Sequence, residues 1–188
     1  MLKTTILALV LLGAPAFAAA PPPAPKIVVL DKVAIMQFSK AGQDIARQVK
    51  AYADQAKRDL QAQGLALQNE ARSLQQQVAI LAPDVKQKRV AAFQAKENAL
   101  STAAQRKDEQ IKAGFYQARQ QMEQQLGPIL QEIVKERGAN MVLDKQAVVL
   151  ANTTGYDITK DVIDRLDAKM STIKVNLNAP PAPQGARP

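Results

Sequence analysis

From Ile45 onward the apolar positions advance in steps of three and four: Ile45, Val49, Tyr52, Ala56 and Leu60. After a gap that skips Gln63 they resume at Leu67, Ala71, Leu74, Val78 and Leu81. That spacing lays a stripe along one face of a helix, and a strand cannot produce it. The stretch "LAPD", Leu81–Asp84, interrupts the stripe, because the residue before Pro83 is biased away from helical angles. Pro83 and Asp84 then suit the first turn of a second helix. Its distal part, Val85 to Ala104, presents mostly alanines as inward positions: Ala92, Ala95, Ala99 and Ala103. From Ile111 the seam turns bulky, through Phe115, Ala118, Met122, Leu126, Ile129 and Ile133, and Gly138 supplies a stop. The pattern predicts an antiparallel helical hairpin over 39–138 with its tip near 81–84. Arms of roughly 40 residues would reach about 60 Å, too far for a compact globule, so the hairpin must project.

Strand chemistry flanks it. "KIVVLDKVAIM", Lys26–Met36, is a β-branched run that predicts one strand, and "ANMVLDK" (Ala139–Lys145) and "AVVLA" (Ala147–Ala151) predict two more. Ser39 is placed to cap the first arm, and Thr159 to cap a last helix, with Ile158 and Ile163 as a hydrophobic staple. Val162, Ile163, Leu166 and Met170 share one face of that helix. The class is therefore α+β: a small β body, 26–36 and 139–176, carrying its C-terminal helix and a projecting coiled-coil arm. Three strands and one short helix are marginal alone and leave open edges. Pooled sheets from several chains would solve both problems, with Val28, Val29, Val142, Leu143, Val148 and Val149 as the oligomer core.

The ends differ in kind. "MLKTTILALVLLGAPAFAAA" has the parts of a cleaved secretory signal peptide: Lys3, an apolar middle from Ile6 to Leu12, and Ala16-Phe17-Ala18 as the cleavage motif. The expected signal spans 1–18; cutting after Ala20 would put Pro21 next to the cut. The Pro-rich stretches 19–25 and 177–188 read as linker and disordered tail, since proline cannot donate to a helix or a sheet.

Charge and residue types narrow the chemistry. Lys+Arg total 25 against 17 Asp+Glu, a formal net charge of +8 that falls to +7 once Lys3 leaves with the signal. The sequence holds no His and no Cys, so it has neither the usual base near neutral pH nor a thiol nucleophile, and no disulfide. No catalytic residue, cofactor or metal ligand is expected. Asp157, Asp161, Asp164 and Asp167 form an acidic run, yet it lacks the loop glycine and terminal Glu of a calcium-binding EF-hand and suits the start of a helix instead. Lys86, Lys88, Arg89 and Lys96 outnumber Asp84 and Glu97 near the tip, making a positive arm that attracts acidic surfaces. Acidic lipid, polysaccharide or protein suits an exported basic chain better than nucleic acid does. An alanine seam also buries less apolar area than a leucine seam, which predicts a distal arm that opens readily.

"IVVLD" (Ile27–Asp31), "SKAGQ" (Ser39–Gln43) and above all "MVLDKQAVVLANTTGYDITKDVIDRL" (Met141–Leu166) resemble the Skp (OmpH-like) family of periplasmic chaperones. The resemblance spans the chain behind the signal peptide, with the specific residues at its two ends. It implies a homotrimer shaped like a jellyfish, a β body with three helical tentacles around a cavity. It further implies a periplasmic holdase that works without ATP and keeps unfolded outer-membrane β-barrel proteins from aggregating in transit. On that reading clients are held diffusely, with Lys86, Lys88, Arg89 and Lys96 attracting and Val78, Phe93 and Phe115 adhering. A lipopolysaccharide-binding cluster proposed in the family is not carried over, because no paired arginines stand near the tip. The rival reading is a basic coiled-coil envelope protein that binds acidic membrane surface or lipopolysaccharide.

Overall fold

The computed structural model of the chain describes residues 24–148 and 155–180. It is mostly helical. The elements run β1 (Ile27–Leu30), α1 (Lys32–Phe38), α2 (Lys40–Gln77), α3 (Pro83–Arg137), β2 (Met141–Asp144), a 3-10 turn at Lys145–Ala147, and α4 (Thr159–Lys169). The long helices carry the sequence signals noted above. Ser39 caps α2, its side chain accepting from the Gly42 amide, and Pro83 opens α3 with Asp84 in the first turn. Gly138 ends α3 in the left-handed region at φ 58, where only a residue without a Cβ is unstrained. At about 1.5 Å per residue, the 55 residues of α3 span about 80 Å.

The β body departs from expectation in three places. The run Lys26–Met36 is not one strand: the ladder stops at Leu30, and Asp31 caps α1 with its carboxylate accepting from Ala34 N at 2.9 Å. Helical phase then buries Ile35 and leaves Val33 out, a pattern that alternation would not give. The sheet among the described residues has two strands rather than three, β1 and β2, parallel, with Ile27 opposite Met141 and Leu30 opposite Asp144. A parallel pair needs a long crossover, and the helical hairpin supplies it. Ala147 of the expected third strand lies in the 3-10 turn, Val148 follows in extended backbone, and Val149 to Ala151 lie outside the described residues. On the other side of β1, Val29 exchanges backbone hydrogen bonds with Tyr156 O and Ile158 N at 2.8 and 2.9 Å. A single bridge therefore stands where a strand would.

Thr159 is the third departure. It is the first residue of α4, not its cap, and its hydroxyl instead accepts from the Asp31 amide at 2.9 Å. The Asp157 carboxylate takes the capping role, accepting from Thr159 N at 2.9 Å. Apolar burial then ties the pieces together. Val28, Leu30, Ile35, Ile45, Met122, Ile129, Ile133, Ile158, Val162 and Leu166 belong to one core at the base of the hairpin. Val28 and Val29 are buried within this single chain, so their burial needs no second copy. Ion pairs of Arg137 with Asp161 and of Arg165 with Glu136 staple α4 to α3 across the outside.

Candidate functional site

The hairpin changes character along its length. At the base α3 buries Ala113, Gly114, Ala118, Met122, Leu126, Ile129 and Ile133, and α2 buries Ala41, Gly42 and Ile45. From Ala46 to Lys112 no residue is fully buried. Two helices with nothing on either side can cover only one narrow seam between them, and every seam residue keeps an edge in water.

The stripe of α2 is as the spacing predicts: Val49, Tyr52, Ala56, Leu60, Leu67, Ala71, Leu74 and Val78 are all half-buried. The seam of α3 is not. Ala92, Ala95 and Ala99 are exposed, and the inward positions are Val90, Phe93, Leu100, Ala103 and Ala104. A larger side chain gains more by leaving water, so Phe93 and Leu100 take the seam and turn the alanines outward. The gap in the α2 stripe has its cause at Gly64 rather than Gln63. An added Cβ at Gly64 would meet nothing within 4 Å. The missing side chain leaves a groove of about 480 Å³ bounded by Leu60, Gly64, Leu67, Phe93 and Leu100. A second groove of about 480 Å³ lies nearer the base, at Ala53, Ala56, Ala104 and Ile111.

Polar ties close the seam from its edges. Lys96 bonds Glu70 at 2.6 Å, Lys107 bonds Asp59 at 3.0 Å, and Arg89 Nη1 donates to Gln77 Oε1 at 2.6 Å. The Lys107 hydrogen bond, helped by Gln55, holds the Asp59 carboxyl below its ordinary range. Of the four basic residues singled out near the tip, Lys96 is thus committed to Glu70 and Arg89 to an amide. Lys86 and Lys88 are exposed and form no ion pair among the described residues. Ile80 lies in the turn between α2 and α3, 84% exposed, an apolar tip residue that helical spacing does not single out.

Phe115 is set apart from Val78 and Phe93. It packs half-buried against the base core and faces a groove of about 840 Å³ with Val33, Met36, Leu126 and Leu130. The neck carries a feature that periodicity could not show. After α4 the chain returns in extended form, and Gln48 of α2 reads its backbone: Nε2 donates to Ile173 O at 2.8 Å, and Oε1 accepts from Val175 N at 2.9 Å.

The acidic run is distributed among separate duties. Asp157 caps α4 and meets Lys145, Asp161 meets Arg137, Asp164 meets Lys160, and Asp167 accepts from the Lys40 amide. Among the described residues no group of three or more His, Cys, Asp or Glu converges as a metal site would require. No described helix is long and apolar enough to cross a membrane.

Comparison with known proteins agrees with this architecture. No curated protein matches the chain. Among solved structures, a Caulobacter crescentus CB15 protein, described as OmpH-like and proposed to be an outer membrane chaperone, superposes with a TM-score of 0.74 at 26% identity, covering 84% of this chain and 93% of its own. The family model described as outer membrane protein (OmpH-like) matches residues 26–166, and the chain belongs to that family.

Proposed function

We infer that this chain is a chaperone of the periplasm, an ATP-independent holdase that keeps unfolded outer-membrane proteins from aggregating. The observation that carries the reading is the arm with no fully buried residue from Ala46 to Lys112. A seam that is half-wet everywhere gives up little when its helices part. The exposed ion pairs along it add little, because water screens them. An unfolded chain offering apolar side chains can therefore exchange for those contacts at low cost, and the grooves at Gly64 and Ala56 are where exchange begins. Val78 and Phe93 contribute adhesion from the seam, Phe115 from the base groove, and Lys86, Lys88 and Arg89, which form no ion pair among the described residues, supply positive charge.

Assembly as a trimer belongs to this reading. The two-stranded sheet leaves Met141 and Val142 44% and 38% exposed on β2, and among the described residues no strand pairs with its outer edge, which a second copy would cover. Val142, Leu143, Val148 and Val149 are the positions proposed for that contact. An Ile80 exposed in the turn that precedes Lys86 and Lys88 favours a second reading, attachment of the tip to acidic lipid or lipopolysaccharide. Competition separates the two. A labelled β-barrel protein, unfolded in urea and diluted, should bind the chain in the presence of excess anionic vesicles. Displacement of the client by vesicles, with tight vesicle binding, would favour the surface reading instead.

A further inference from the structure

The segment that follows α4, Ser171 to Leu177, is seated as a bound peptide would be. Its side chains alternate: Ile173 and Val175 are 4% and 1% exposed, Leu177 is half-buried, and Lys174 and Asn176 face water. Among the described residues no strand pairs with it. Its hydrogen bonds to other elements, among the described residues, are the two made by the Gln48 side-chain amide to Ile173 O and Val175 N. That amide is held in place by Asp44, whose Oδ2 accepts from the same Nε2 at 2.7 Å. The opposite wall of the seat is Gly114 of α3. A Cβ there would come within 2.9 Å of Asn176 O and of Val175 Cγ1, so the backbone approaches as closely as it does because the glycine is bare. One turn on, Gln117 keeps its Oε1 buried with no hydrogen-bond partner, so this level of α3 retains an unused acceptor. The segment also lies outside residues 26–166, the part matched to the family.

A backbone-reading amide, a glycine floor and recesses for every second side chain recognise an extended strand with alternating apolar residues, whatever its exact sequence. The strands of an unfolded membrane β-barrel have that alternation. We propose that the neck between Gln48 and Gly114 is a binding site for extended, alternately apolar peptide segments, and that the C-terminal strap occupies it as an internal competitor until a client strand displaces it. This deepens the holdase reading and rests on it for the identity of the natural ligand. Release breaks the two side-chain hydrogen bonds to Gln48 and withdraws Ile173, Val175 and Leu177 from the base core, contacts that a client strand of the same alternation would replace.

The test uses the full chain and a fluorescein-labelled peptide of the sequence Met170–Asn178, followed by anisotropy. Val175→Asp puts a charge where the core holds a valine and should unseat the strap. It should bind the peptide with an affinity about tenfold or more above that of the unaltered chain, in which the strap leaves only a small fraction of sites open. A scrambled peptide of equal composition without alternation should bind poorly, and adding Gly114→Ala or Gln48→Ala to Val175→Asp should abolish the gain. Equal binding to both chains, or a gain that survives Gly114→Ala, overturns the proposal. Hydrogen exchange on the unaltered chain gives an answer even where Val175→Asp misfolds. Protection at Val175 should fall when an unfolded β-barrel client is bound, while α4 stays protected; unchanged protection at Val175 overturns the proposal. A chain that delays client aggregation yet keeps its strap protected leaves the holdase reading standing and removes this one. Peptide binding without any delay of aggregation does the reverse.

Discussion

Single glycines decide where this hairpin is tight and where it gives. At Gly42 an added Cβ would sit 2.0 Å from Met36 O, so α1 and α2 can turn on each other only because position 42 is bare. At Gly64 the same atom would meet open space. Gly64→Ala should therefore stabilise α2 by about 0.5–1 kcal/mol through helix propensity alone. A urea melt followed by helix signal should show it, with slower client exchange as the accompaniment; destabilisation would mean that the groove is not empty. Gly42→Ala should lower the melting temperature sharply. In the core, Met122→Ala should cost about 2–5 kcal/mol, the usual range for emptying a fully buried long side chain. The spacing rule could read the α2 stripe because its apolar residues are few and regular. It misread α3 from Val85 to Ala104, where alanines recur at helical spacing beside Phe93 and Leu100. Alanine marks a face only when nothing larger competes for it.

Element boundaries in the base rest on carboxylates. Asp31 turns a β-branched run into strand plus helix, and Asp157 starts α4 while bridging toward β1. A run of Val, Ile and Met cannot announce that break, because its residues suit both states; the signal was the aspartate between them. Burial raises the Asp157 carboxyl, but hydrogen bonds from Thr159 and Lys145 outweigh it and leave the group below its ordinary value. Glu136 is lowered too, chiefly by its hydrogen bond to Arg165. A carboxylate whose folded pKa is depressed contributes stability above its unfolded pKa of about 4 and loses it as pH falls through the folded value. The docking of α4 should accordingly hold from neutral pH to about 5 and weaken below about 4. Thermal melts across that range check it, and Asp157→Asn should flatten the dependence. A melting temperature that rises on acidification would contradict the assignment.

At the scale of the molecule, a base with a packed core bears an arm with no fully buried residue from Ala46 to Lys112. Hydrogen exchange should be fast through Ala46–Lys112 and slow across Ala118–Ile133 and α4, whereas uniform protection would remove the distinction. Val142→Asp, on the exposed strand edge, should leave the single-chain fold intact and abolish self-association in light scattering, if the edge is the contact between copies. Neutralising Lys86, Lys88 and Arg89 together should slow client capture at low salt and leave assembly unchanged; adding Lys96 should change the rate less, since its charge is paired with Glu70. The projecting hairpin was legible in the sequence because long periodic helices dominate it. The strap and its seat were not, since the partners are far apart in the chain and the geometry depends on one glutamine and one glycine. The proposed holdase function is tested most directly by light scattering from a β-barrel protein diluted out of urea, with and without the chain and with no nucleotide added. Aggregation should be delayed in proportion to the chaperone present, up to a fixed ratio. Aggregation at the same rate for every β-barrel client tried, with the chain folded and in excess, would contradict a holdase role.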